Sequence, residues 1–391
     1  MNNDTFLLML FVYSAPVVSG LLSIAFLHLA GNRKQGSMDM ELRKPLTAYF
    51  LTVAVNWTFA MLLLFAPAVV AGLNGLVYSL LLLVQVFLYH YLYILTADTG
   101  EKPFTFWHYI LPVVIFVGLT FWAAQVPPEA RMASIAVPAQ SGDSGLYTCN
   151  LSLNDPSLAW YNAAVRSKPL VRTLYSLIYS ILAVRRILRY RRRIVNFSAD
   201  TENTSLGWLL FTIALAFPLF LTPVIVALAS PYKALVTFLG AFPAIVIFIQ
   251  LPVLCYYTVT HRYVLLMQTD ATDTDSGTEI TAGKIERQQL EEFMTSSKPY
   301  LKADLKITDL AGPLKTNRNY LSSFINTTYG MNFSQFINGY RLRELDALRA
   351  DGKYIRLDNL ELIHKAGFGS YHAYYRAKKQ QDKLKLLPLD E

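Results

Sequence analysis

The feature that most constrains this chain is a succession of long apolar runs ahead of about residue 265, each near the length needed to cross a roughly 30 Å hydrocarbon core. About seven can be traced: Phe6 to Leu29, Leu46 to Val70, Leu73 to Thr96, Phe106 to Ala124, Leu170 to Val184, Leu206 to Ala229 and Ala234 to Thr260. In lipid each backbone N–H and C=O must be satisfied inside the segment, so such runs fold as helices. The expected fold class is therefore all-α, with residues 1–265 forming a polytopic membrane bundle. The fifth run is the shortest, and Arg185 and Arg186 extend its inner end by lying along apolar surface while their charges reach the headgroups. A composition 53% hydrophobic and only 16% charged excludes an ordinary soluble protein. No basic residue precedes the first run and no convincing small-residue cleavage site follows it, so it is expected to be a span rather than a cleaved signal.

The net charge of +8 becomes informative once it is located. Arg33, Lys34, Arg43 and Lys44 separate runs one and two, Lys102 lies between three and four, and Arg185, Arg186, Arg189 and Arg191 to Arg193 follow run five. The other side offers Arg131, Arg166, Lys168 and Lys233. The positive-inside rule then puts the amino terminus outside and everything after run seven in the cytoplasm. The RRILRYRRR stretch abuts a span end and is read as a topology anchor rather than a nucleic-acid patch.

The run interiors lack Asp and Glu, which argues against a proton-coupled carrier. Asn56, Gln85, His90 and Gln250 are the polar residues left, and Pro218, Pro223, Pro243 and Pro252 can kink the last two spans. For His90 a bundle-facing hydrogen bond is the plainer reading, with ligand binding or pH sensing as alternatives. The outer segment from Gln125 to Ser167 reads as a lid over the bundle, either sensory or a passive connection. Cys149 and Cys255 form no disulfide framework and stand beside no activating group.

After run seven the composition changes. Residues 266–283, including MQTDATDTDSGTEITAG from Met267, are polar and acidic without a periodic apolar face, a flexible linker reaching about 20 to 25 Å. Helical patterning resumes over 284–380, ahead of a tail at 381–391. Ile307, Leu310, Ala311 and Leu314 repeat at the spacing of a buried helical stripe. A turn over Lys315 to Asn317 follows, with Asn317 the cap of a helix whose core side is Leu321, Phe324 and Ile325. Two short helices so joined are a helix-turn-helix. Gly330 stops the second, and a longer helix runs through Phe336, Ile337, Tyr340, Leu345 and Leu348. The pattern then recurs, with Asp358 and Glu361 as a capping box, Leu362, Ile363 and Ala366 as the apolar face, and Ser370 capping the last helix.

With these residues in place, the stretch from about Lys298 to Lys379 resembles the DNA-binding domain of the AraC family of bacterial transcription regulators, two helix-turn-helix units joined by a linking helix. The elements that carry the resemblance are DLA at Asp309, NRNYLSSF at Asn317, GMNFSQFINGYRL at Gly330 and GFGSYHAYYRA at Gly367. The chain departs from the family at Lys315, where Gly is usual, and at Pro313 near the end of the first helix. It departs again at Leu345 for a small Ala, at Lys378 for a core Phe, and at Asn359 for an apolar residue whose place Leu357 or Leu360 can fill.

The resemblance implies that the first recognition helix presents Arg318, Asn319, Ser322 and Asn326 outward, with Asn317 at its cap, and the second Ser370, Tyr371, His372 and Tyr375. Arg suits guanine O6 and N7 and Asn suits adenine, while Arg376 and Lys379 are expected to meet phosphates, as is Lys378. It further implies a regulator in a bacterial cytoplasmic membrane, for which the Asn150-Leu-Ser152 acceptor pattern is coincidence. The expected partners are double-stranded DNA, the lipid bilayer, RNA polymerase, a second copy of the chain, and an unidentified small-molecule or envelope signal. No catalytic constellation, metal cluster or cofactor motif is read from the sequence. Two other readings stay open: a carrier or channel with a regulatory cytoplasmic domain, and a helix-turn-helix that has lost DNA and docks a protein.

Overall fold

The computed structural model describes residues 3–31, 37–98, 101–135, 156–200, 206–214, 233–260, 285–354 and 356–386. It is all-helical, with no strand among the described residues. Contacts divide the chain into two compact units: residues 1–95, 102–186 and 208–261 form one, and residues 96–101, 187–207 and 262–391 the other. Two short segments from between the membrane runs, 96–101 and 187–207, thus belong with the C-terminal residues.

In the first unit α1 (Asn3–Gly31), α2 (Ser37–Phe65), α3 (Pro67–Gly72), α4 (Asn74–Leu95) and α5 (Trp107–Gln125) are followed by the short α6 (Pro128–Ile135) and α7 (Pro156–Arg166). Then come α8 (Lys168–Ile194), which continues into the second unit, and α9 (Lys233–Val259). Among the described residues, five stretches are long and apolar enough to cross a membrane: Phe6–Ala30, Glu41–Phe65, Asn74–Leu95, Trp107–Gln125 and Ala241–Val259. They coincide with runs one to four and seven. Run five is helical within α8, but Arg172 and the arginines from Arg185 onward keep α8 outside that set. Run six is described only over 206–214, helical from 207 onward. Pro218, Pro223, Cys149, residues 136–155 of the outer segment and the whole linker lie outside the described residues.

Small residues let these helices approach closely, because dispersion and short polar contacts must replace the hydrophobic effect where the solvent is itself apolar. A Cβ on Gly20 of α1 would lie 3.2 Å from Ala54 of α2, and one on Gly75 of α4 only 2.8 Å from the Thr120 hydroxyl of α5. Phe11, Leu29 and Phe121 are more than 70% exposed, an outward apolar surface that suits lipid. His90 shares a 2.8 Å hydrogen bond with the Tyr109 hydroxyl, as the plainer reading expected. The Asn56 amide donates to Thr52 O, and the buried Cys255 thiol donates to Ser23 O.

The second unit gathers α10 (Arg287–Ser297), α11 (Ile307–Ala311), α12 (Arg318–Tyr329), α13 (Phe333–Ala350), α14 (Asn359–Lys365) and α15 (Tyr371–Leu386). It has two cores. Leu290, Met294, Leu310, Leu321, Ile325, Phe336 and Ile337 close the first, and Leu342, Leu345, Ile363, Ala366, Phe368 and Tyr374 the second. Because α13 contributes Phe336 and Ile337 to one and Leu342 and Leu345 to the other, a single helix links two helix pairs. Leu345 is fully buried where a small Ala was the family expectation, so the second core is built around the larger side chain.

Candidate nucleic-acid interface

Each helix pair is set by local chemistry. The stripe Ile307, Leu310, Ala311 and Leu314 is buried as its spacing predicts. The turn after α11 runs through Lys315, which has φ of 51°, and closes with Thr316 N–H donating to Ala311 O. That left-handed conformation is where Gly carries no steric cost, so the departure at Lys315 falls on a strained position. Asn317 caps α12, its side-chain oxygen accepting from Tyr320 N–H at 2.8 Å. Gly330 ends α12 with φ of 65°, its N–H donating to Asn326 O. Asn332 and Gln335 form a capping box at α13, and Asp358 and Glu361 one at α14. Ser370 accepts from Ala373 N–H at the start of α15.

On α12, Asn319 and Asn326 are exposed, Ser322 is half-buried, and the exposed Ser323 completes one outward face at i, i+3, i+4 and i+7. The expectation that Arg318 points outward with them is corrected. Arg318 is only 3% exposed and its guanidinium lies 4.6 Å over the Phe197 ring. The physical reason is a tertiary contact: at the start of α12 Arg318 stands on the border between the core stripe of Leu321 and Ile325 and the outward Ser322, and the Phe197 ring closes over it. It also donates to the Asn319 side-chain oxygen at 3.4 Å. On α15, Tyr371, His372, Tyr375, Arg376 and Lys379 are all exposed, whereas Tyr374 and Ala377 turn inward. Lys378, where the resemblance led to the expectation of a core Phe, points to solvent beside Lys379. Leu357 packs against the second core, while Leu360 stays 44% exposed. Asn359 is outside, accepting from Arg349 at 2.8 Å.

Three residues escaped the sequence reading. Arg341 of α13 is 2% exposed and donates to the carbonyls of Tyr300, Lys302 and Ala303 at 2.8, 2.7 and 3.2 Å, pinning the segment before α11 to the linking helix. Burial pushes its guanidinium down to about 10, so it stays charged at neutral pH. Gly367 takes φ of 91°, and a Cβ there would lie 2.4 Å from Tyr300 O. The third is Phe197, whose contacts with the first core and with Arg318 are made to residues far along the chain, so no local pattern marks it. No family model, curated protein or solved structure matches the chain.

Proposed function

We propose that this protein is a membrane-tethered, sequence-specific DNA-binding regulator of transcription of the AraC type, with the apolar helices as sensor. The observation that carries the reading is the pair of capped helix-turn-helix units sharing α13, each offering one polar outward face. Asn319, Ser322, Ser323 and Asn326 form that face on α12, and Tyr371, His372, Tyr375, Arg376 and Lys379 on α15. The first face is uncharged and suited to base edges, with Asn matched to adenine N6 and N7. The second carries the cations that suit phosphates, together with tyrosines that can lie against sugar or base. Two recognition helices tied through one linking helix would read successive major grooves about one helical turn apart. The remaining base-contact candidate, Arg318, needs rearrangement before it can reach DNA.

In this reading seven spans place the amino terminus outside and the second unit in the cytoplasm, and RNA polymerase and a second copy of the chain are its partners. The test is selection of duplexes from a random-sequence library by the full chain in detergent micelles. A recovered consensus supports the function. Recovery of unrelated sequences both by this chain and by a Phe197→Ala variant, in which Arg318 is uncovered, rejects it.

A further inference from the structure

The residues directly after α8 do more than connect. Val195 O accepts from Ser334 N–H, Phe197 O from Ile307 N–H, and Leu305 O accepts from Ala199 N–H, each at 3.0 Å. Ser198 and Lys306 form an isolated antiparallel bridge. Ala199 belongs to the first core, and Phe197 packs against that core while covering Arg318. Ile307 and Ser334 are in the first turns of α11 and α13, whose N–H groups have no partner within their own helices, so the loop satisfies donors that would otherwise need water or another acceptor. Asp200, next along, comes within 3.9 Å of the position a Cβ on Gly369 would occupy, just before the second recognition helix.

We propose that Val195–Asp200 is an intramolecular inhibitor of DNA binding, docked on the first helix-turn-helix and holding Arg318 away from the groove. This rests on the DNA-binding reading above. The recognition helix of a helix-turn-helix meets bases mainly through its N-terminal residues, and Phe197 occupies the space over the first residue of α12. A bidentate Arg contact to guanine discriminates among bases, so covering it weakens specific binding selectively while leaving phosphate contacts from Arg376 and Lys379 in place. A signal acts by changing how firmly the loop is seated, since only a difference in stability between docked and undocked states can shift the equilibrium.

The bridge geometry supplies a reversible test. Ser198 and Lys306 form a pair flanked by hydrogen bonds on both sides, for which the Cα separation is about 4.5 Å, within the range a disulfide spans. The full chain carrying Ser198→Cys and Lys306→Cys, with Cys149→Ser and Cys255→Ala, is measured by fluorescence anisotropy on duplexes selected by its reduced form. The oxidised form should bind the selected duplex at least tenfold more weakly than the reduced form, and dithiothreitol should restore binding. Phe197→Ala, which uncovers Arg318 and keeps the backbone bonds, should bind several-fold tighter than the parent. That increase is opposite in sign to what loss of a merely structural contact produces. Equal affinity in the oxidised and reduced forms, or weaker binding by Phe197→Ala, overturns the inhibitor while leaving DNA binding standing. Absence of any selectable duplex for the reduced form and for Phe197→Ala alike overturns the function itself, and the inhibitor with it.

Discussion

At the scale of single residues, the second unit holds strain and rigidity in a few positions. Lys315 pays for a left-handed turn that Gly adopts freely, so Lys315→Gly should stabilise the first pair by about 0.5 to 1 kcal/mol, allowing for the freedom Gly adds to the unfolded chain. Gly367 is the opposite case. A methyl group there meets the Tyr300 carbonyl and the Leu301 backbone, neither of which can swing aside, and Gly367→Ala should cost about 2 to 4 kcal/mol. Arg341→Met should cost a similar amount, because three carbonyls lose a charged donor at once. Hydrogen exchange of amides in α12 and α15 reads all three, and unchanged protection in Gly367→Ala would contradict the close approach. The caps at Asn317, Gly330, Asp358 and Ser370 were legible in the sequence because each bond closes within four residues. Arg318 was not: its partner Phe197 lies in another part of the chain, and its own charge argued for solvent.

At the scale of elements, the proposed function has the two outward helix faces divide the work of binding differently. The α12 face carries no charge, so Asn319→Ala should lose about 1 to 3 kcal/mol of discrimination at one base position and leave binding to random DNA unchanged. On α15, Lys379→Ala should weaken all sequences alike and lower the salt slope by about one. Titrations of selected and scrambled duplexes at several salt concentrations separate the two effects, and a sequence-independent loss in Asn319→Ala would move base reading elsewhere. Arg318→Ala, which sequence reading alone treats as another base contact, tests two things at once in the full chain. It loses a base contact only when Phe197 has withdrawn. The buried face of α13 was readable from Phe336, Ile337 and Leu345, but helical periodicity marks a face without naming its neighbour, so which core each residue enters needed the fold.

At the scale of the whole molecule, the sequence divides near residue 265, while the structure divides along contacts. The chain passes between its two units at 95/96, 101/102, 186/187, 207/208 and 261/262, so the acidic linker is one connection among several. This could not be read from composition, because residues 96–101 and 187–207 are polar enough to pass for simple inner loops. Arg193 pairs with Asp98 within that group, joining the two segments to each other. A flexible tether alone favours signalling through proximity of two copies. With the loop after α8 docked on the first helix-turn-helix, inserting about six Gly/Ser residues near Thr274 should leave regulation intact, whereas the same insertion after Asn196 should abolish the dependence on signal. Reporter fusions after Arg193 or His261 should read as cytoplasmic and one near Ser144 as exported; an exported signal at Arg193 would contradict the topology.

The most direct measurement is the affinity of the purified full chain for its selected duplex against a scrambled duplex of equal length, taken at matched physiological salt. The account predicts that the selected duplex binds at least about a thousandfold more tightly once the Val195–Asp200 loop is released, the margin expected of specific recognition over backbone attraction. Equal affinity for the two duplexes with the loop released would contradict it, leaving a basic surface that attracts nucleic acid without reading it.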